Sequence, residues 1–178
     1  KSITIPKLRP EQVQTVEIGY RGSFGGKLYV DLNAYYSIYK HFIGEIRVVK
    51  PKGTAQAGQQ SGEDAILTNS NDNPTYTVYQ VPMNATQNVS SYGGTVGLTY
   101  FFNNHYSANA NYTYANLNTN HLSDDIIPGF NTPKHKINVG VKGRRVWKNF
   151  GFSANFQWVD HYLWQSTFGI GPVNSYRI

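Results

Sequence analysis

Apolar and polar residues alternate with period two along six segments of this chain, the pattern of β-strands that show different surroundings to their two faces. In the first segment Val16, Ile18 and Tyr20 share one face, and Thr15, Glu17, Gly19 and Arg21 share the other. In the second, Leu28, Val30, Leu32, Ala34, Tyr36 and Ile38 oppose Tyr29, Asp31, Asn33, Tyr35, Ser37 and Tyr39. The third sets Val96, Leu98, Tyr100 and Phe102 against Thr95, Gly97 and Thr99. In the fourth, Tyr106, Ala108, Ala110, Tyr112 and Tyr114 oppose Ser107, Asn109, Asn111 and Thr113. The fifth sets Ile137, Val139 and Val141 against Asn138, Gly140 and Lys142. In the sixth, Phe150, Phe152, Ala154, Phe156 and Trp158 oppose Gly151, Ser153, Asn155 and Gln157.

The connections sort by length. Gly25 with Gly26, Asn103 with Asn104, and Trp147 through Asn149 read as tight turns, the first two built from residues that tolerate positive φ. Between them lie long polar links at roughly residues 51–74 and 118–136. Short and long connections thus alternate strictly, as they do in a transmembrane barrel with short periplasmic turns and long external loops. A soluble sandwich also alternates apolar and polar positions but has no reason to sort its loops by parity. Residues 75–91 begin a strand pattern at Tyr76, Val78 and Gln80 that Pro82 interrupts. They read as an external continuation of the third strand, bent at Val81 and Pro82. The second strand runs on through Phe42, Ile43, Ile46 and Val48, so the two are expected to form a ribbon above the membrane.

The polar faces carry Glu17, Arg21, Asp31, Asn33, Asn109, Asn111, Asn138, Lys142, Asn155 and Gln157, the candidates for a barrel lumen. A Lys or Arg on the lipid face at mid-membrane costs about 2–4 kcal/mol. Alternation keeps these groups off lipid without removing them from the strand. The apolar face is rich in rings that favour a membrane–water interface. Tyr100, Phe102, Tyr106, Trp147 and Phe150 lie near short turns and predict a periplasmic girdle. Tyr36, Tyr39, Tyr112, Tyr114, Trp158, Tyr162 and Trp164 predict an external one.

Composition agrees with strands. The 178 residues include 14 Tyr, 9 Phe and 3 Trp but 1 Met, with 15% charged residues and a mean hydropathy of −0.47. The absence of cysteine excludes a disulfide framework and a thiolate metal site. The net charge of +6 is scattered, with Arg144–Arg145 the only adjacent cationic pair, which argues against a nucleic-acid face. No run of about 20 apolar residues supplies a transmembrane helix. Lys1-Ser2-Ile3 opens without a signal peptide and reads as a cut into something longer.

Several local motifs resemble the late barrel of TonB-dependent outer-membrane receptors of the type common in Bacteroidetes. Leu8-Arg9-Pro10-Glu11-Gln12-Val13 followed by Glu17-Ile18-Gly19-Tyr20-Arg21-Gly22 resembles the family's "L-K/R-P-E … E-x-G-Y/F" entry into a barrel strand. Val30-Asp31-Leu32-Asn33-Ala34-Tyr35-Tyr36-Ser37-Ile38-Tyr39-Lys40 is similar to its "D-x-x-x-Y-Y-x-x-Y-K/D" strand. Gly129-Phe130-Asn131-Thr132-Pro133-Lys134-His135-Lys136 is similar to the "N-T/A-P-K/E-H-K" segment before a late strand, and Val159-Asp160-His161-Tyr162 to a strand end.

The resemblance implies an all-β, antiparallel transmembrane barrel in the bacterial outer membrane, with residues 1–178 forming part of one barrel domain. No plug domain and no TonB box is recognisable in these residues. About six strands cannot close alone, since natural barrels begin at about 8 and transporters of this family have about 22. The remaining strands and the plug are therefore expected elsewhere in the same protein. Asn174-Ser175-Tyr176-Arg177-Ile178 begins a further strand pattern. The implied function is ligand import driven through TonB, which acts on the plug. The alternatives are a transporter-like barrel that scaffolds surface lipoproteins or a secretion complex, and a soluble carbohydrate-binding sandwich.

Catalytic chemistry is not indicated, and no cofactor or metal is expected. His41, His105, His121, His135 and His161 fall in five separate segments without metal-ligand spacing. Asp124 with Asp125, and Glu63 with Asp64, read as solvated loop acids. The glycines at Gly169 and Gly171 read as a loop, not a phosphate cradle. For an external ligand, Tyr76, Tyr79 and Trp164 are candidates to stack on a ring, and Glu45 and Arg47 to steer charge. Lys40, Lys134 and Lys136 are candidates to meet lipopolysaccharide phosphates. The expected partners are outer-membrane lipid and lipopolysaccharide, TonB through the plug, and a surface lipoprotein, with no nucleic acid.

Overall fold

A computed structural model describes residues 7–51, 76–120, 122, 126–166 and 169–177, with the side chains of residues 49–51 and 76–78 outside that description. The six alternating segments all form strands. They are β1 (Gln12–Phe24), β2 (Leu28–Lys40), β5 (Val89–Phe101), β6 (Tyr106–Asn118), β7 (His135–Trp147) and β8 (Phe150–Val159). Five of them have 13 residues and β8 has 10. About 9–11 residues of tilted strand suffice to cross a bilayer core.

Together with β11 (Tyr176–Arg177), these strands make one open antiparallel sheet in the order β1-β2-β5-β6-β7-β8-β11. The strand pattern read at the close of the chain is β11, which pairs Tyr176 with Val159 and Arg177 with Trp158. Every neighbour is also the next strand of the sheet along the chain. The sheet is a meander, interrupted at one end by excursions.

The excursions differ from the expected continuations. β3 (Ile43–Pro51) and β4 (Tyr76–Asn84) form a separate two-stranded ribbon. The chain leaves β2 at His41, whose φ is 53°, and re-enters the sheet after Ala85. Val81 and Pro82 do not bend the ribbon, because its register runs unbroken through Ile46↔Val81 and Glu45↔Pro82. A two-stranded ribbon leaves one edge of each strand free of ladder bonds, so a residue without an N–H is tolerated there. The second surprise is a hairpin, β9 (Tyr162–Ser166) with β10 (Gly169–Val173). Gly169 and Gly171 lie in that strand, not in a loop.

At the other end the turns are short. Gly25 and Gly26 both adopt positive φ, at 56° and 64°, which a residue without a Cβ does without strain. The Asn103–Asn104 turn uses a different device. The Asn103 side-chain oxygen accepts from the N–H of His105 and of Tyr106, at 2.8 and 2.9 Å, and neither Asn has positive φ. In the third turn it is Lys148 that adopts φ 52°.

The apolar rows align across the sheet. One runs Tyr20, Leu32, Val96, Tyr112, Ile137, Trp158, and the next Gly22, Val30, Leu98, Ala110, Val139, Phe156. No second layer covers them among the described residues, and Val16, Ile18 and Trp147 are 76%, 73% and 73% exposed. The buried apolar cluster lies off the sheet's apolar face, at the excursion end. There Phe42, Ala85, Val89 and Ile126 pack with Tyr39, Ile46, Met83, Leu117 and Leu122. Tyr39 belongs to this cluster and to the polar-face parity of β2, so it is not part of an outward girdle. Tyr162 and Trp164 stand on the separate β9–β10 hairpin, not on the seven-stranded sheet.

Candidate functional site

Strand pairing turns the polar faces into rows. Arg21, Asp31, Gly97, Asn111, Asn138 and Gln157 stand opposite one another in a single row across six strands. One step toward the turns, Tyr29, Thr99, Asn109, Gly140 and Asn155 form the next row, and Phe101, Ser107, Lys142 and Ser153 the one after. Toward the excursions come Asn33 and then Glu17, in rows with Thr95, Thr113 and Lys136, and with Tyr35 and Gly93. All ten sequence-selected candidates therefore share one face, and five of them share one row.

Both acids on this face are engaged. Arg21 Nε and Nη2 donate to Asp31 Oδ2 at 3.0 and 2.7 Å. Asn33 donates its side-chain amide to Glu17. A concavity of about 820 Å³ lies over the turn half of the face, lined by Arg21, Asp31, Asn109, Asn111, Lys142 and Arg144 among others. Tyr29 and Phe101 also line it and meet edge to face at 5.6 Å between ring centroids. That aromatic pair was not selected from sequence. Alternation with the outward Tyr100 and Phe102 turns Phe101 to the polar side, but only the register of β5 against β2 brings it to Tyr29.

The excursion end is tied into one assembly. Glu45 and Ile127 exchange backbone hydrogen bonds, Glu45 N to Ile127 O at 3.1 Å and Ile127 N to Glu45 O at 2.7 Å. Gln80 donates to Ser166 O at 3.3 Å, joining β4 to β9. The Asn84 amide donates to the carbonyls of Arg9 and His41, at 2.9 and 2.7 Å. A second concavity of about 510 Å³ lies between the second link and β9, with Phe130, Lys134, Asp160 and Tyr162 in its lining.

The described ligand-contact candidates are spread over two elements and both faces of the ribbon. Glu45 and Arg47 share one face of the ribbon, opposite Pro82 and Gln80. Tyr79 pairs with Val48 on the other face, and Trp164 stands on β9 opposite Gly171. Tyr76 lies in β4, but its side chain is outside the described residues, as are His121, Asp124, Asp125, Glu63 and Asp64. Lys136 pairs with Thr113 and Val159 on the polar face, opposite in parity to His135. Among the described residues no group of three or more His, Cys, Asp or Glu could hold a metal ion.

With an open meander, opposite faces and sorted connections established, comparison with known proteins places the chain. The family model described as "TonB dependent receptor-like, beta-barrel" matches residues 1–177. The chain belongs to this TonB-dependent receptor barrel family. A solved structure titled "Copper transporter OprC" is similar with a TM-score of 0.60 and 14% identity, over 97% of this chain and 22% of that one. At that identity the likeness concerns the fold, and the chain spans about a fifth of that protein's length. Comparison with curated proteins gave no match.

Proposed function

We propose that this receptor-family chain is one sector of the wall of a closed outer-membrane barrel that imports a ligand with TonB-derived energy. The observation that carries the reading is the continuity of the two faces. Polar rows through Arg21, Asp31, Asn111, Asn138 and Gln157 run without interruption behind apolar rows through Leu32, Val96 and Ile137. The apolar rows meet hydrocarbon, and the polar rows meet water or a plug.

The open edge of β1 supports closure by further strands of the same protein, because unpaired backbone groups in hydrocarbon cost several kcal/mol each, on the order of a lost hydrogen bond or more. The plug and the TonB contact belong to those other parts. Glu17, Asn33, Asn109, Lys142 and Asn155 then line the lumen with the five residues of the long row. The tied excursions form the external mouth, where Glu45, Arg47, Tyr76, Tyr79 and Trp164 remain the candidate contacts. Lys40, Lys134 and Lys136 at that end remain candidates for lipopolysaccharide.

The test is growth of cells carrying the full-length protein on single nutrient classes (iron chelates, cobalamin, glycans, peptides) with TonB coupled or uncoupled. Loss of growth on one class with surface binding retained supports import. Growth independent of TonB on every class, with fixed lipoproteins copurifying, replaces it with a scaffold.

A further inference from the structure

Among the described residues, cations crowd the turn end of the sheet. In the turn-side half of the strands and in the turns themselves stand Arg21, Lys27, Lys142, Arg144, Arg145 and Lys148, against the single acid Asp31 among the described residues. That is an excess of five positive charges within this end alone. The cations divide by position. Arg21, Lys142 and Arg144 line the polar concavity. Arg145 and Lys148 flank Trp147 in sequence at the rim.

The rim is built. Between Gly143↔Phe152 and Trp147↔Phe150 the register shifts, so β7 carries two more residues than β8 over this stretch. Arg145 sits in that bulge with φ 47°, and Arg144 is fixed to His105 by a backbone bond of 2.7 Å and by His105 Nδ1 at 3.0 Å from Arg144 O. The bulge ends on Trp147, opposite Phe150 on the apolar face, with the two side chains 73% and 60% exposed. Lys148 Nζ lies 5.7 Å from the Trp147 ring centroid. An exposed ring pair with one cation over the indole and a second two residues before it in the bulge matches the two halves of a lipid, acyl chain below and anionic headgroup above.

We propose that the Arg145–Trp147–Lys148 rim binds the headgroup of an anionic phospholipid in the periplasmic leaflet. The proposal rests on the membrane-wall reading. A protein partner would be indifferent to the depth of Trp147, whereas a lipid site needs the indole at the headgroup boundary, which is why the lipid is favoured.

The test uses the full-length protein in nanodiscs containing brominated phosphatidylglycerol or brominated phosphatidylcholine at equal mole fraction. The Trp147 signal is taken as the difference between wild type and W147F. Wild type is expected to show about twofold or greater preferential quenching by the anionic lipid, lost at high salt and reduced to about one in R145Q/K148Q. Equal quenching in the wild type, or an unchanged preference in the double variant, overturns the site. Quenching of Trp147 by neither lipid overturns the membrane-wall reading itself, and the two failures are thereby distinguished. Native mass spectrometry of the wild type supplies a variant-free check. Retention of phosphatidylglycerol no greater than of phosphatidylcholine also overturns the site.

Discussion

Asn131 and Gln165 hold each other by two hydrogen bonds. The Asn131 amide donates to Gln165 O at 2.7 Å, and Gln165 N donates to Asn131 Oδ1 at 2.6 Å. One side chain thus imitates a strand partner, and its backbone accepts a φ of 47° to do so. The Gln165 side chain adds a bond from Gly129 N at 2.9 Å. Asn131→Ala is expected to loosen the β9–β10 hairpin locally by about 1–3 kcal/mol, since two backbone groups lose their partner. Hydrogen exchange at Gln165 should rise by an order of magnitude or more, while the seven-stranded sheet keeps its protection. Unchanged exchange would show the clasp to be dispensable.

Gly44 sits where the second link crosses the ribbon. A Cβ there would overlap the Ile126 methyl and lie 2.9 Å from Ile127 O. Gly44→Val is expected to break the Glu45–Ile127 bridge and expose Ile126. Protease cleavage within residues 126–134 should then accelerate in intact cells, without loss of assembled barrel.

Asn138 and Val139 are neighbours on opposite faces of β7, near its middle. Val139→Arg is expected to destabilise insertion by about 2–4 kcal/mol, and Asn138→Arg by much less. Equilibrium folding of the full-length protein into lipid vesicles measures both. Equal costs would contradict the assignment of the two faces.

The Arg21–Asp31 pair joins β1 to β2, with the Arg21 side chain 83% exposed on the described face. A double-mutant cycle with Arg21→Gln and Asp31→Asn is expected to give a coupling of less than about 1 kcal/mol that falls with salt. A larger, salt-insensitive coupling would mean that a plug or further strands bury the pair.

Much of this was legible before any coordinates. Six strands, the face on which each of the ten polar candidates stands, and the short turns follow from period-two alternation, because one face must differ from the other wherever solvent differs from lipid. The ribbon from β3 and β4 was also anticipated. Its break points were not, since Pro82 signals interruption in isolation and only pairing with Glu45 shows that an edge tolerates it. The β9–β10 hairpin escaped notice because its glycines and proline, at Gly169, Gly171 and Pro172, carry the composition of a loop.

The sequence by itself determined that this chain makes two-faced strands with sorted connections, since alternation and turn residues are local properties. Only the tertiary structure decided which residues stand in one row, that Tyr29 meets Phe101, and that Asn131, Gly44 and Gln80 draw the excursions together. Those relations join residues far apart in sequence, and they depend on strand register and on side-chain reach across separate elements. Neither leaves a local periodic signal.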